Sequence, residues 1–263
     1  MNKLFDSTDK IRKRIPNKRY FHLIIGNFYY KTENGFFRLL NNLFSQKKFK
    51  FRYPIMANID KEQHWEKIYE TKNFTEVGWY QKTPTVSLSF IEESKIPKTA
   101  KILDVGGGDS YLVDHLLDLG FVHIHVLDLS RKAIGKAKNR LGENATKVTW
   151  INSDILMFEP KEKFDVWHDR AAFHFLLDPK ETQKYVRIAN ESISEDGLML
   201  IGTFSGQGPT HCSGLPVRQY SIDKLTEVFS PYFQKTKCFQ TDHITPGGAR
   251  QHYTFCGFKK IGK

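Results

Sequence analysis

From residue 101 onward, apolar runs of strand length alternate with stripes at helical spacing. Ile102, Leu103 and Val105 supply a β-prone run that ends in three glycines, and Leu112, Leu116, Leu117 and Leu119 then recur on one helical side before Gly120. Strands follow at Val122 to Leu127, Val148 to Ile151, Phe164 to Trp167 and Leu198 to Phe204. Helices separate them, one capped by Ser130 and running to Leu141, another from Lys180 to Ile193. Connections this short predict neighbouring units, so the fold class is α/β: a mostly parallel, Rossmann-like sheet with helices on both faces. Upstream, Asp60 reads as an N-cap with Gln63 at its third position, and Trp65, Ile68 and Tyr69 keep helical spacing. With a second stripe at Val86 and Leu88 to Ile91, this predicts a helical N-terminal cap. Lys235 to His243 and Gln251 to Lys259 alternate around Pro246-Gly247-Gly248, which predicts a closing antiparallel hairpin.

Charge divides the chain. The total is +11, yet residues 1 to 55 hold 13 Lys and Arg against 3 Asp and Glu, and the remainder is nearly balanced at 27 against 26. Two domains are therefore expected, a basic, aromatic extension over 1–55 and a near-neutral body over 56–263. The extension is open to several readings: amphipathic helices on a membrane surface or RNA, a targeting segment, or a poorly ordered leader upstream of a natural beginning at Met56. Its contact, if it makes one, is with an acidic surface. No apolar run reaches the roughly 18 residues of a membrane span. Cys212, Cys238 and Cys256 are odd in number and lack C-x-x-C spacing, so all three are expected to be free thiols in a reducing, cytoplasmic setting. The histidines are scattered, and no metal site is expected.

The chemistry gathers where strands end. Asp104 precedes Gly106, Gly107 and Gly108, and Tyr111 stands where a dinucleotide fingerprint wants its third glycine. An acid there repels a pyrophosphate and attracts a cationic amino-acid moiety. Asp128 lies about 20 residues beyond the glycines, where an acid binds ribose hydroxyls. Asp154 follows the third strand, and His168-Asp169-Arg170 follows the fourth. Trp79 and Tyr80 fall in a loop before the first strand, and Tyr80 offers an aromatic face to a cation. His168, Asp169 and His174 are the nearest candidate bases, although Asp169 and Arg170 also read as a pair that fixes a loop.

On Asp104, Gly106, Gly108, Asp128, Asp154 and the terminal hairpin, the chain resembles the class I S-adenosylmethionine-dependent methyltransferases over about residues 61–260. The resemblance implies a seven-stranded sheet and S-adenosylmethionine as cofactor. It also implies cofactor contacts from Trp79, Asp104, Gly106 to Gly108, Asp128, Leu129, Asp154, Ile155 and His168, and a catalytic group of His168, Asp169, Arg170 and Tyr80. Methyl transfer to a small-molecule nucleophile by a monomer is the leading expectation. The alternatives are transfer to a protein lysine, and a catalytically silent nucleoside-binding module docked through its basic extension. Members acting on lysine often carry an Asp-Lys-Gly-Thr-like run after the fourth strand; here the run is His168-Asp169-Arg170-Ala171.

Overall fold

The computed structural model describes residues 60–262 and two short strands in the extension, β1 (Leu23–Ile25) and β2 (Phe28–Tyr30). The chain divides into two units after Asn58. In the first, β1 and β2 pair antiparallel, so the apolar patch at 20–30 contains a small hairpin where an amphipathic helix was one expectation. The other expectations for residues 1 to 55 lie outside the described residues.

The second unit begins with α1 (Lys61–Thr71), capped by Asp60, whose carboxylate accepts from the Gln63 amide. Next come α2 (Thr85–Glu93), β3 (Lys101–Val105), α3 (Leu112–Asp118), β4 (His123–Asp128), α4 (Arg131–Leu141) and β5 (Val148–Asn152). The chain continues through β6 (Phe164–Arg170), α5 (Pro179–Ser192), β7 (Ile193–Phe204), the two-residue strands β8 (His211–Cys212) and β9 (Leu215–Pro216), α6 (Ile222–Phe229), β10 (Phe233–Ile244) and β11 (Arg250–Lys260). Ser130 and Ser221 cap α4 and α6, while Asp178 caps α5 with Pro179 in its first turn.

Seven strands form one sheet in the order β10-β11-β7-β6-β3-β4-β5. β3 to β7 run parallel, and β11 is antiparallel to both its neighbours. Strand order reverses between β3 and β6, and the crevice outside the strand ends at such a reversal is where ligands bind in these sheets. Alternation of side chains distributes the core. Leu103, Val105, Trp167 and Ile201 pack beneath α5 and α6 with Tyr185, Leu225 and Phe229. Ile102, Ile124, Val126 and Val166 meet Ile91, Leu112 and Leu116 on the other face.

Two expectations are corrected here. β6 runs through Arg170, so His168, Asp169 and Arg170 are strand residues with alternating directions and not a loop cluster. Cys238 and Cys256 stand opposite each other in the β10–β11 register and are joined by a disulfide. Only Cys212 remains a free thiol, so the argument for a reducing compartment from three free cysteines falls away. Among the described residues no helix is long and apolar enough to cross a membrane.

Candidate active site

The β3–α3 turn is built tightly. Gly106 and Gly108 have φ of +68° and +47°, a region costly for residues with a side chain. A Cβ on Gly106 would come within 2.6 Å of the Ala172 Cβ, and one on Gly108 within 2.8 Å of both Asp128 Oδ2 and the Tyr69 hydroxyl. Under the turn, a Cβ on Gly107 would meet Asp104 Oδ2 at 2.5 Å. Backbone therefore forms this part of the wall.

Asp104 and His168 are register partners on β3 and β6 and so share a face. The buried Asp104 carboxylate accepts from His168 Nδ1 at 2.6 Å, and the Ser87 hydroxyl of α2 lies 2.7 Å from His168 Nε2. His168 thus ties the glycine turn to the helical cap and does not line the cleft. Asp169 points to the opposite face. Its Oδ1 accepts from the amides of Ala172 and Phe173 at 3.0 and 3.1 Å, and its Oδ2 accepts from the Tyr185 hydroxyl at 2.7 Å. Burial pushes its carboxyl up to about 6 against these donors. His174, buried, is held down to about 3 by desolvation and the Arg170 charge.

The cleft is half open and spans about 860 Å³ of space free of protein atoms, the solvent at its mouth included. Asp128, Leu129, Ser153, Asp154 and Ile155 line one region of it. Asp128 Oδ1 accepts from the Ser130 amide at 2.7 Å, yet burial raises its carboxyl to about 7, with Asp104 and Glu66 adding repulsion. Asp154 caps a short helical turn by accepting from the Leu156 amide at 2.8 Å. Trp65, Tyr69, Trp79, Phe175, Arg170 and Cys212 line another region. Trp65 lies 5.7 Å from Trp79 and 5.3 Å from Phe175, ring centre to ring centre, in edge-on contacts. The Cys212 thiol is pushed up to about 11 by burial, which keeps it protonated near neutral pH. Tyr80 sits apart, packed on Phe74 and Tyr111 at 5.3 and 6.0 Å.

The sequence reading and the cleft agree on Trp79, Gly106, Asp128, Leu129, Asp154, Ile155 and Arg170 as lining residues. Asp104, Gly107 and His168 lie in or beneath the turn, and Asp169 and Tyr80 face other parts of the molecule. Sequence reasoning missed Phe175, Ala171 and Ala172. It used Trp65 and Tyr69 only to place a helical cap, though their four-residue spacing on α1 was a signal for a shared aromatic face. Arg140 was missed too. It crosses from α4 to pair with Asp109 and Asp114, and its guanidinium lies 4.3 Å above the Tyr111 ring, bracing the glycine turn.

Residues 103–199, the span that carries the glycine turn, Asp104, Asp128 and Asp154, match a protein family described as a methyltransferase domain. By this match the chain contains a methyltransferase domain. The seven strands, mostly parallel, and the closing antiparallel pair are those its sequence predicted. The chain is 26% identical over 138 residues to the "eEF1A lysine and N-terminal methyltransferase" of Mus musculus, a match covering 52% of this chain and 19% of that relative. The chain thus spans about a fifth of the length of that protein. It is 22% identical over 207 residues to "EEF1A lysine methyltransferase 2" of Danio rerio, covering 73% of this chain and 83% of the relative. Its fold resembles that of the glycopeptide N-methyltransferase MtfA solved with S-adenosyl-homocysteine, at 15% identity and a TM-score of 0.55, covering 74% of this chain and 95% of that one.

The cleft suits S-adenosylmethionine. The Cβ-free glycine turn leaves room for a close ligand, and the Asp128 carboxyl on the cleft wall is an acceptor of the kind that ribose hydroxyls donate to. Among the described residues no group of three or more His, Cys, Asp or Glu side chains converges as a metal site requires.

Proposed function

We propose that this enzyme moves the methyl group of S-adenosylmethionine to a small-molecule nucleophile. One observation carries the choice of acceptor. Apart from Asp128 and Asp154, the side chains that line the cleft include no carboxylate, while Trp65, Trp79, Phe175 and the Arg170 guanidinium supply an aromatic and cationic wall. A lysine ammonium entering there would meet like charge and no base.

In this reading Asp128 takes the ribose hydroxyls, and Asp154 and Ile155 with Leu129 receive the adenine. Gly106 to Gly108 bring backbone against the amino-acid portion, and Trp79 and Tyr69 offer aromatic faces towards positive charge. The cofactor supplies a methyl group already activated by its sulfonium, so the chain has to align the acceptor and exclude water. Asp104 and His168 act as positioning residues for the glycine turn, and Asp169 positions residues 171–173. We further propose a catalytic body from residue 56 on, acting as a cytoplasmic monomer, with the basic extension contacting an acidic surface.

The names of the relatives favour a second reading, transfer to a protein lysine. Incubating the enzyme with methyl-labelled cofactor and a lysate, then separating small molecules, RNA and protein, decides between them. Label in the small-molecule fraction is expected. Label confined to protein refutes this acceptor class, and cofactor binding with no label anywhere supports a silent module.

A further inference from the structure

Arg170 ends β6 on the face that carries His168 and lines the cleft. One nitrogen, Nη1, donates to the Trp79 carbonyl at 2.9 Å, and the guanidinium carbon lies 4.9 Å above the Tyr253 ring. Nε and Nη2 are buried with no hydrogen-bond partner among the described residues. A guanidinium does not shed its proton in a protein, so two charged donors stand desolvated and unanswered. Nothing titratable beside it supplies the missing charge: His174, His243, Cys212 and Tyr253 all feel Arg170 as a cation that favours their proton-free forms. The contrast with Arg140, paired to two aspartates, is direct. The next residue, Ala171, is held at φ +69°, a strained backbone of the kind retained where function fixes a direction.

We infer that Arg170 is the residue that holds a carboxylate in the cleft. Its fork of parallel N–H groups matches that anion in shape and charge. A carboxylate has two sources here, the acceptor and the amino-acid end of the cofactor. The groups around Arg170 favour the acceptor. Tyr253, His243 and Cys212 come from β11, β10 and β8, whereas the carboxyls assigned to the cofactor, Asp128 at the end of β4 and Asp154 just after β5, lie on the other side of the strand-order reversal. This assignment rests on the small-molecule reading above and narrows it to carboxylate-bearing nucleophiles.

The test uses the full chain and the variants Arg170→Gln and Arg170→Lys, each first shown to unfold cooperatively at a temperature near that of the parent. Gln removes the charge and leaves a neutral amide, and Lys keeps the charge without the fork. Calorimetry then measures S-adenosyl-homocysteine, 5′-methylthioadenosine, which lacks the amino-acid portion, and succinate added to the homocysteine complex. If the acceptor is the source, succinate binds the parent complex and Arg170→Gln weakens it about tenfold or more, with Arg170→Lys between, while S-adenosyl-homocysteine is unchanged. If the cofactor is the source, Arg170→Gln weakens S-adenosyl-homocysteine by a similar factor and leaves 5′-methylthioadenosine untouched. Folded Arg170→Gln that binds both carboxylate ligands within about twofold of the parent overturns the assignment. Label found only in protein, with succinate still lost in Arg170→Gln, would refute the small-molecule reading and leave the carboxylate site standing.

Discussion

Asp128 sets stability against binding, and Asp128→Asn should separate the two. Its carboxyl is raised by burial from 3.8 to about 7. In the unfolded chain the proton leaves near 3.8, in the folded chain near 7, so between those values the folded state binds more protons. Stability from this group therefore falls as pH rises from about 4 to 7 and is flat above. About three pH units at about 1.4 kcal/mol each set a ceiling of about 4 kcal/mol on the cost of the buried charge at about pH 8. An amide keeps one acceptor for the Ser130 N–H and loses the other, which takes back about 1 kcal/mol. The variant should thus gain about 2 to 3 kcal/mol at about pH 8 and melt several degrees higher, with little gain near pH 4. Binding should move the opposite way. Ribose hydroxyls donate to the charged carboxylate, so parent affinity for S-adenosyl-homocysteine should rise from about pH 6 to 8 with proton release, visible as a dependence of calorimetric heat on buffer ionisation. Asp128→Asn should lose about 1 to 3 kcal/mol of that affinity and all of its pH dependence. A variant that melts lower at about pH 8 and binds with the parent's affinity and pH profile would refute both halves of the reasoning.

Gly107→Ala should lower stability by about 1 to 3 kcal/mol in urea unfolding, because its Cβ would press on Asp104 Oδ2 at 2.5 Å and on a Val126 methyl at 2.9 Å. Asp169→Ala strands three buried donors, from Ala172, Phe173 and the Tyr185 hydroxyl, and should cost about 1 to 3 kcal/mol for each left unpaired; a variant as stable as the parent but slow in turnover would return Asp169 to the chemistry. Without reductant, a thiol reagent should find one reactive cysteine per denatured chain. In the folded chain near neutral pH Cys212 should resist alkylation, its thiol being buried and raised to about 11.

The acids at strand ends were legible because a parallel sheet delivers the last residues of each strand, and those just beyond, to the same edge, so Asp104, Asp128 and Asp154 needed only the strand boundaries to be placed. His168-Asp169-Arg170 looked like one cluster because adjacency in sequence says nothing until a strand boundary is fixed. Extending β6 by three residues sends Asp169 to α5 and leaves the other two on the opposite face, where only Arg170 reaches the cleft. The disulfide stayed hidden for a related reason: the sequence reading looked for C-x-x-C spacing, whereas the symmetric placing of Cys238 and Cys256, each nine residues from Gly247, pairs them once the hairpin is in register. The aromatic wall was split between hypotheses because Trp65, Trp79 and Phe175 belong to three separate segments, and only tertiary packing unites them.

The position of β11 between β7 and β10 bears on how the molecule is made. A growing chain that has emerged only through Ile244 carries β10 with no strand beside it and β7 with one open edge, since β11 supplies both missing ladders. Tyr253, the ring beneath Arg170, arrives on that same strand. The surroundings of Arg170 are thus incomplete until synthesis has passed β11, whereas the cleft wall of Asp128, Leu129, Asp154 and Ile155 is encoded about 100 residues before it.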